Sequence, residues 1–150
     1  MRIVIQRVSR ASVSVAPDYY RSIEAGMMIL VGVENGDTDE DVDFLVRKTA
    51  ALRIFDDDAG VMNRSVVDIG GGLLAISQFT LLASTRKGNR PSYIRSMGGA
   101  DAEKLYLDYC QRLQALSGIE VKRGIFGADM QVELVNDGPV TIIIDSRLRE

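Results

Sequence analysis

The chain has 150 residues, 46% of them apolar, with a formal net charge of −3, one cysteine and no histidine. The missing imidazole excludes a Ser-His-Asp triad, a Cys-His pair and every His-containing zinc site, and a lone Cys110 excludes a cysteine-only zinc site and an internal disulfide. Chemistry must then come from hydroxyls, amides, carboxylates, lysines, backbone groups, water or the substrate itself.

The single cysteine points to a reducing compartment, and the length fits one domain over residues 1–150. Residues 1–8 alternate charged and apolar side chains and lack the apolar core of a secretory signal. No apolar stretch approaches the roughly 18 residues that a membrane helix needs. A cytoplasmic protein without membrane attachment is expected.

In chain order, residues 2–15 read as two strands, since Ile3 and Ile5 share one face and Val13 and Val15 alternate with serines. Arg7 falls on the face of Ile3 and Ile5, where a guanidinium needs carboxylate or carbonyl partners unless it snorkels to water from a frayed end. Residues 27–33 form another apolar strand. Asn35-Gly36-Asp37 then turns into a helix that opens at Thr38 and ends near Arg53. Asp41 approximates a capping box there, and Val42, Leu45, Val46, Thr49 and Leu52 trace one face. Asp56-Asp57-Asp58-Ala59-Gly60 is a polar turn rather than a calcium loop, because Val61 and Val67 occupy the positions where an EF-hand needs Gly and Glu.

Gly70-Gly71-Gly72 lacks the Gly-Lys-Ser or Gly-Lys-Thr of a Walker loop. It introduces residues 73–79, an apolar run that should lie centrally in a sheet and be covered on both sides. Residues 81–100 read as a long loop, of a length that is usually functional or mobile. A second helix starts near Asp101, sets Ala102, Leu105, Tyr106, Tyr109, Leu113 and Leu116 on one stripe, and ends at Gly118. Cys110 beside that stripe reads as packing. Strands follow over residues 119–123 and 130–134, then a turn at 136–139 and a last strand over 140–144.

Charge is segregated along the chain. Residues 69–100 hold no Asp or Glu but contain Arg86, Lys87, Arg90 and Arg95, whereas nine acids lie between Glu34 and Asp58. A basic patch of this size suits a few phosphates better than a long duplex, and it fits a merely solvated loop equally well.

Two short segments stand out. Ser77-Gln78-Phe79-Thr80 lies where a buried strand emerges into the basic loop, so hydroxyls, an amide and free backbone N–H groups can converge on a ligand; the same residues also suit simple strand closure by Ser77 and Thr80. Strand alternation would put Ser77 and Phe79 on one face and Gln78 and Thr80 on the other unless the strand end twists. Asn136-Asp137-Gly138-Pro139 has the composition of a β-turn, and nothing in its physics alone favours a cis bond at Gly138-Pro139.

Taken together with Ile5-Gln6-Arg7-Val8, Arg53-Ile54-Phe55, Met62-Asn63, Gly88-Asn89-Arg90-Pro91-Ser92 and Ala128-Asp129-Met130, these segments resemble the D-aminoacyl-tRNA deacylase family, in order over nearly the full chain. Tyr93 departs from the pattern, standing where Phe is more usual. The resemblance implies an α/β fold with a mixed, curved, half-barrel-like sheet and two main helices on one side. It implies a homodimer that hydrolyses the ester joining a D-amino acid, or mischarged glycine, to the 3′-terminal adenosine of tRNA. Gly138 and Pro139, joined by a cis bond, would enter the partner's site as a chirality gauge, with Asn136 and Arg7 in support and Arg7 acting across the dimer. Ser77 and Gln78 would hold the aminoacyl end, Phe79 the adenosine, and N–H groups near Phe79 and Thr80 the oxyanion. Thr80 is the family's former candidate nucleophile, but a threonine without an adjacent base is weak. Assistance by the substrate 2′-OH is the preferred route. No metal or organic cofactor is indicated, and the alternative is a non-catalytic dimer that binds the tRNA end.

Overall fold

The computed structural model describes residues 1–149. Its frame is one six-stranded mixed sheet built around a single long strand, β1 (Arg2–Val15). One edge of β1 pairs antiparallel with β8 (Gln131–Asp145); the other pairs with β3 (Gly26–Gly32) over its first half and with β2 (Tyr19–Ile23) over its second. Residues 2–15 are therefore one strand, not two. Register shifts on either side of Val8 let it bend while it keeps pairing.

The segment at 136–139 is likewise no turn. Gln6 pairs with Thr141 and Val8 with Asn136, so Asp137, Gly138, Pro139 and Val140 all stand opposite Arg7. A proline cannot donate to a sheet ladder, so the chain bulges outward here and rejoins the same edge.

β6 (Gly72–Ser77) pairs parallel with β3 on one side and with β7 (Val121–Arg123) on the other. Both parallel connections require crossovers, which α1 (Asp39–Ala51) and α2 (Gly99–Ser117) provide. A small hairpin of β4 (Phe55–Asp56) and β5 (Met62–Arg64) surrounds the acidic turn, with the Asp57 carboxylate accepting the N–H groups of Ala59 and Val61. The sequence reading found neither β2 nor this hairpin.

β6 is covered on both faces, as its unbroken apolar run predicts. Leu73 and Ala75 join the larger core beneath the helices, while Leu74 and Ile76 join a second core with Val8, Val13 and Met28 inside the curl of the sheet. Val42, Leu45, Val46 and Thr49 bury the expected face of α1, whose cap brings the Thr38 N–H to the Asp41 carboxylate at 2.8 Å. Gly118 ends α2 in the left-handed conformation. Leu116 departs from the predicted stripe and is exposed. Buried Tyr109 meets Thr49 at 2.8 Å, and Tyr106 donates to Ala75 O at 2.9 Å, which ties the helices to each other and to β6.

Beyond β3 a charged cluster closes one end of the sheet. The fully buried Asp37 carboxylate accepts from the Met1 ammonium at 2.7 Å and from the Glu34 N–H at 2.6 Å, and Arg147 lies 2.9 Å away. Removing one member of a buried pair leaves the others uncompensated. Asp37→Ala is expected to lower stability by about 3–5 kcal/mol, read as a lower urea midpoint at unchanged slope; a loss below about 1 kcal/mol would show that water replaces the carboxylate there.

Candidate functional site

The end of β6 positions the first motif. The strand stops at Ser77 rather than Phe79; Gln78 still donates its N–H to Val31 O at 2.8 Å, and the chain then tightens into a 3-10 turn over Phe79–Leu82. Regular alternation is lost at this point, which is the exception under which Ser77 and Phe79 need not be divided from Gln78 and Thr80. The first N–H groups of a helical turn have no partner within it. Those of Phe79 and Thr80 find no acceptor among the described residues.

The strand end borders a cavity of about 280 Å³ between the end of β6 and the start of β8, which Phe79 lines and Thr80 adjoins in sequence. Ser77, Gln78 and Phe79 line one side; Phe126, Ala128, Met130 and Val132 line the other. The apolar half was not recognised as site-forming, although Ala128 and Met130 lay in a segment of the resemblance. Strand alternation over 130–134 was visible, but only the curl of the sheet brings Met130 and Val132 against Ser77.

Side chains of the first motif hold one another. The Gln78 amide donates to the Thr80 hydroxyl. Ser96, on the long loop, donates to Phe79 O at 2.9 Å, and Tyr93 meets the Phe79 ring edge-on at 5.0 Å. Tyr93 thus acts as the ring partner of Phe79, which remains half exposed at the cavity mouth. The polar partner of Thr80 is an amide, not a base. The single cysteine and the two tyrosines of α2 are shut away: burial pushes the Cys110 thiol up to about 12 and raises the Tyr106 and Tyr109 phenols as well.

The second motif lies apart from this cavity in its own chain. Asn136, Asp137, Gly138 and Pro139 are all exposed, and the Gly138-Pro139 peptide is cis. Ser77 shares a row of the sheet with Val31, Ile3 and Ile144, whereas the bulge faces Arg7, four residues further along β1. At about 3.3 Å per residue, that is roughly 13 Å along the strand, in addition to three strand spacings across it.

Arg7 underpins the bulge. Its side chain is buried and donates from Nε to Asp137 O at 2.9 Å and from Nη1 to Ile54 O at 2.8 Å, with Asp56 Oδ1 at 3.3 Å. Of the two readings of Arg7, partnered or snorkelling to water, the partnered one holds, and its carbonyl and carboxylate partners belong to the same chain as Arg7. Ile54 and Asp56 as those partners were not foreseen, because their contact depends on where the β4–β5 hairpin folds.

Architecture supplies the first comparison. A solved structure described as c-Myc DNA Unwinding Element Binding Protein superposes with a TM-score of 0.89 at 38% identity, covering 97% of this chain and 98% of that one. A probable eukaryotic D-amino acid tRNA deacylase superposes at 0.80 with 17% identity over 95% and 97%, which shows the same fold. The class is therefore an α/β protein with a curved mixed sheet and a cavity at the end of its central parallel strand.

The chain belongs to the D-Tyr-tRNA(Tyr) deacylase family, whose model matches residues 4–145. Relatives named D-aminoacyl-tRNA deacylase include one from Phocaeicola vulgatus, 55% identical over all 150 residues of both chains, and one from Chromobacterium violaceum, 54% identical over 147 residues and 98% of each chain.

Arg7→Ala leaves Asp137 O and Ile54 O without their buried donor. Such a loss costs about 1–3 kcal/mol, and Arg7→Lys should restore little, because one ammonium on a flexible stem does not reproduce the guanidinium fork. Urea unfolding of both variants, with hydrogen exchange over residues 136–140, checks this; a fully stable lysine variant would refute the two-carbonyl role.

Proposed function

We propose that this protein is a D-aminoacyl-tRNA deacylase, a carboxylic ester hydrolase that frees a D-amino acid, or mischarged glycine, from the 3′-terminal adenosine of tRNA in the cytoplasm. The observation that carries this reading is the cavity lined by Ser77, Gln78 and Phe79, beside a turn whose Phe79 and Thr80 N–H groups have no acceptor among the described residues, in a chain that matches the family over residues 4–145.

In this reading the aminoacyl ester carbonyl lies against the Phe79 and Thr80 N–H groups. Water adds to the carbonyl carbon, and the oxyanion that forms is held by those two donors, an arrangement that favours the transition state over the ester. Collapse of the tetrahedral species breaks the bond to the ribose 3′-oxygen. That oxygen takes up the proton lost by the water, relayed by the neighbouring 2′-OH. Ser77 and Gln78 orient the aminoacyl end, and Phe79 offers its exposed ring to the terminal base. Thr80 serves as a positioning residue, because its hydroxyl meets the Gln78 amide and no base.

The exposed bulge is the chirality gauge, supplied to the cavity of a second copy. Gly138 and Pro139 stand outside the cavity of their own chain, so a homodimer is the arrangement that lets them reach one. A broad apolar concavity of about 870 Å³ along the outer edge of β8 offers a surface for such pairing; it includes Ile142, Ile144 and the largely exposed Ile143. Once inserted, the Gly138 and Pro139 carbonyls would meet the substrate amino group and leave no room for an L side chain.

Deacylation time courses on D-tyrosyl-tRNA, L-tyrosyl-tRNA and glycyl-tRNA test the activity. The D and glycyl esters should be lost while the L ester is spared; turnover of none, with RNA binding retained, would establish the non-catalytic tRNA-end binder instead. Thr80→Ala should keep single-turnover rates on D-tyrosyl-tRNA within about tenfold of the parent, since general base activation, worth about 10²–10⁴, is not lost with it. A drop of several orders of magnitude with binding intact would make Thr80 the nucleophile. Gly138 has φ +128°, and an added Cβ would lie 2.9 Å from Val140 Cγ2 and 3.2 Å from Arg7 Nη2. Gly138→Ala is therefore expected to distort the gauge and reduce D-tyrosyl-tRNA hydrolysis at least about tenfold, while strain costs stability only about 1–3 kcal/mol. Unchanged D-over-L discrimination in that variant would remove the gauge assignment.

A further inference from the structure

The long loop between the 3-10 turn and α2 is built as a short finger. Ser84 and Ser92 exchange backbone hydrogen bonds at 2.8 and 2.9 Å, so residues 85–91 project beyond a closed base. All seven are exposed. Arg86, Lys87 and Arg90 lie on this finger, and among the described residues none of the three forms an ion pair. Arg95, the fourth cation of the segment, is by contrast committed to Glu34 at 2.7 Å.

The finger is fastened to the candidate site. Just past its base, Tyr93 abuts Phe79 and Ser96 donates to Phe79 O. Asn35 N–H donates to Arg95 O and Met97 N–H to Val33 O, both at 2.9 Å, which straps the same segment to the end of β3. Three cations that form no ion pair among the described residues are thus carried at a set distance from the cavity mouth. Residues 86–90 are turns and bends, so the tip stays within the roughly 13 Å that four extended residues from the Ser84–Ser92 base would span.

We propose that Arg86, Lys87 and Arg90 grip the phosphodiester backbone of the tRNA acceptor end next to the terminal adenosine. This assignment rests on the deacylase reading. A nucleic-acid strand carries one negative charge at every nucleotide, so three exposed cations on one short finger can meet more than one phosphate. Exposed, unpaired cations favour such contacts because binding releases counterions without a prior ion pair to break. Their role is docking rather than chemistry: the finger supplies affinity for RNA beyond the ester, and Phe79 receives the adenosine that the docked strand delivers.

The test compares the parent with the triple variant Arg86→Gln/Lys87→Gln/Arg90→Gln on two substrates, D-tyrosyl-tRNA and 3′-O-D-tyrosyl-adenosine, with circular dichroism melting as the fold control. On the full tRNA at 50 mM salt, kcat/KM should fall at least about tenfold, and the slope of its logarithm against log salt should become shallower by about 2–3, from 0.7–0.9 per phosphate contact. On the adenosine ester, which has no phosphates, rates should be unchanged. An Arg86→Lys/Arg90→Lys variant should keep the parental salt slope. Unchanged tRNA kinetics would overturn the proposal, and so would an equal loss on both substrates, which would mean that the finger acts through Tyr93 on Phe79. If the parent hydrolyses neither substrate, the deacylase reading fails separately, and filter binding of uncharged tRNA then judges the finger by the same slope.

Discussion

Continuous backbone pairing on both edges of β1 is the constraint on which the structure depends. Every N–H and C=O of a buried strand needs a partner, and β1 obtains them from β8 along one edge and from β3 and β2 along the other. The pairing is broken mainly where Pro139 removes a donor. There Arg7 takes over, directing its guanidinium to the carbonyls of Asp137 and Ile54. The exposed Gly138-Pro139 bulge is the outward consequence of that local failure of the ladder.

The parallel pairing of β3 with β6 has a second consequence. It demands crossovers, so the helices lie on one face, while the curl of the sheet encloses a second apolar core on the other. β6 is therefore dry along its length and ends abruptly at Ser77. The chain tightens into a 3-10 turn at the rim, where the N–H groups of Phe79 and Thr80 have no acceptor among the described residues and Phe79 lines an apolar cavity. Donors fixed by the backbone need no reorganisation when charge develops, which is the property that the proposed hydrolysis requires.

A chain without histidine is left with few ways to activate a nucleophile. The thiol of Cys110 and the phenols of Tyr106 and Tyr109 are buried in the packing of α2, where desolvation holds them protonated. The proposed reaction accordingly draws on backbone donors, water and the substrate's own hydroxyl. The basic finger and the Gly138-Pro139 bulge would contribute by placing RNA and rejecting the wrong stereoisomer.

Much of this was legible in the residues. The apolar run at 73–79 implied a strand covered on both faces, Thr38 and Asp41 marked the start of α1, Gly118 marked the end of α2, and the missing imidazole narrowed the chemistry before any coordinate was known. Arg7 on an apolar face offered two readings, oxygen acceptors or a snorkelling end, between which the sequence did not choose. These features are local, because side-chain periodicity, capping and burial cost act over a few residues. Tertiary structure decided the rest. Residues 2–15 stay one strand because two register shifts bend it without reversing it, and 136–139 bulges rather than turns because the chain rejoins the same edge of β1. The cavity forms because a curled sheet brings Met130 and Val132 to Ser77, more than fifty residues away in the chain. Contacts of that separation carry no sequence period; they depend on how strands pair and how far the sheet twists.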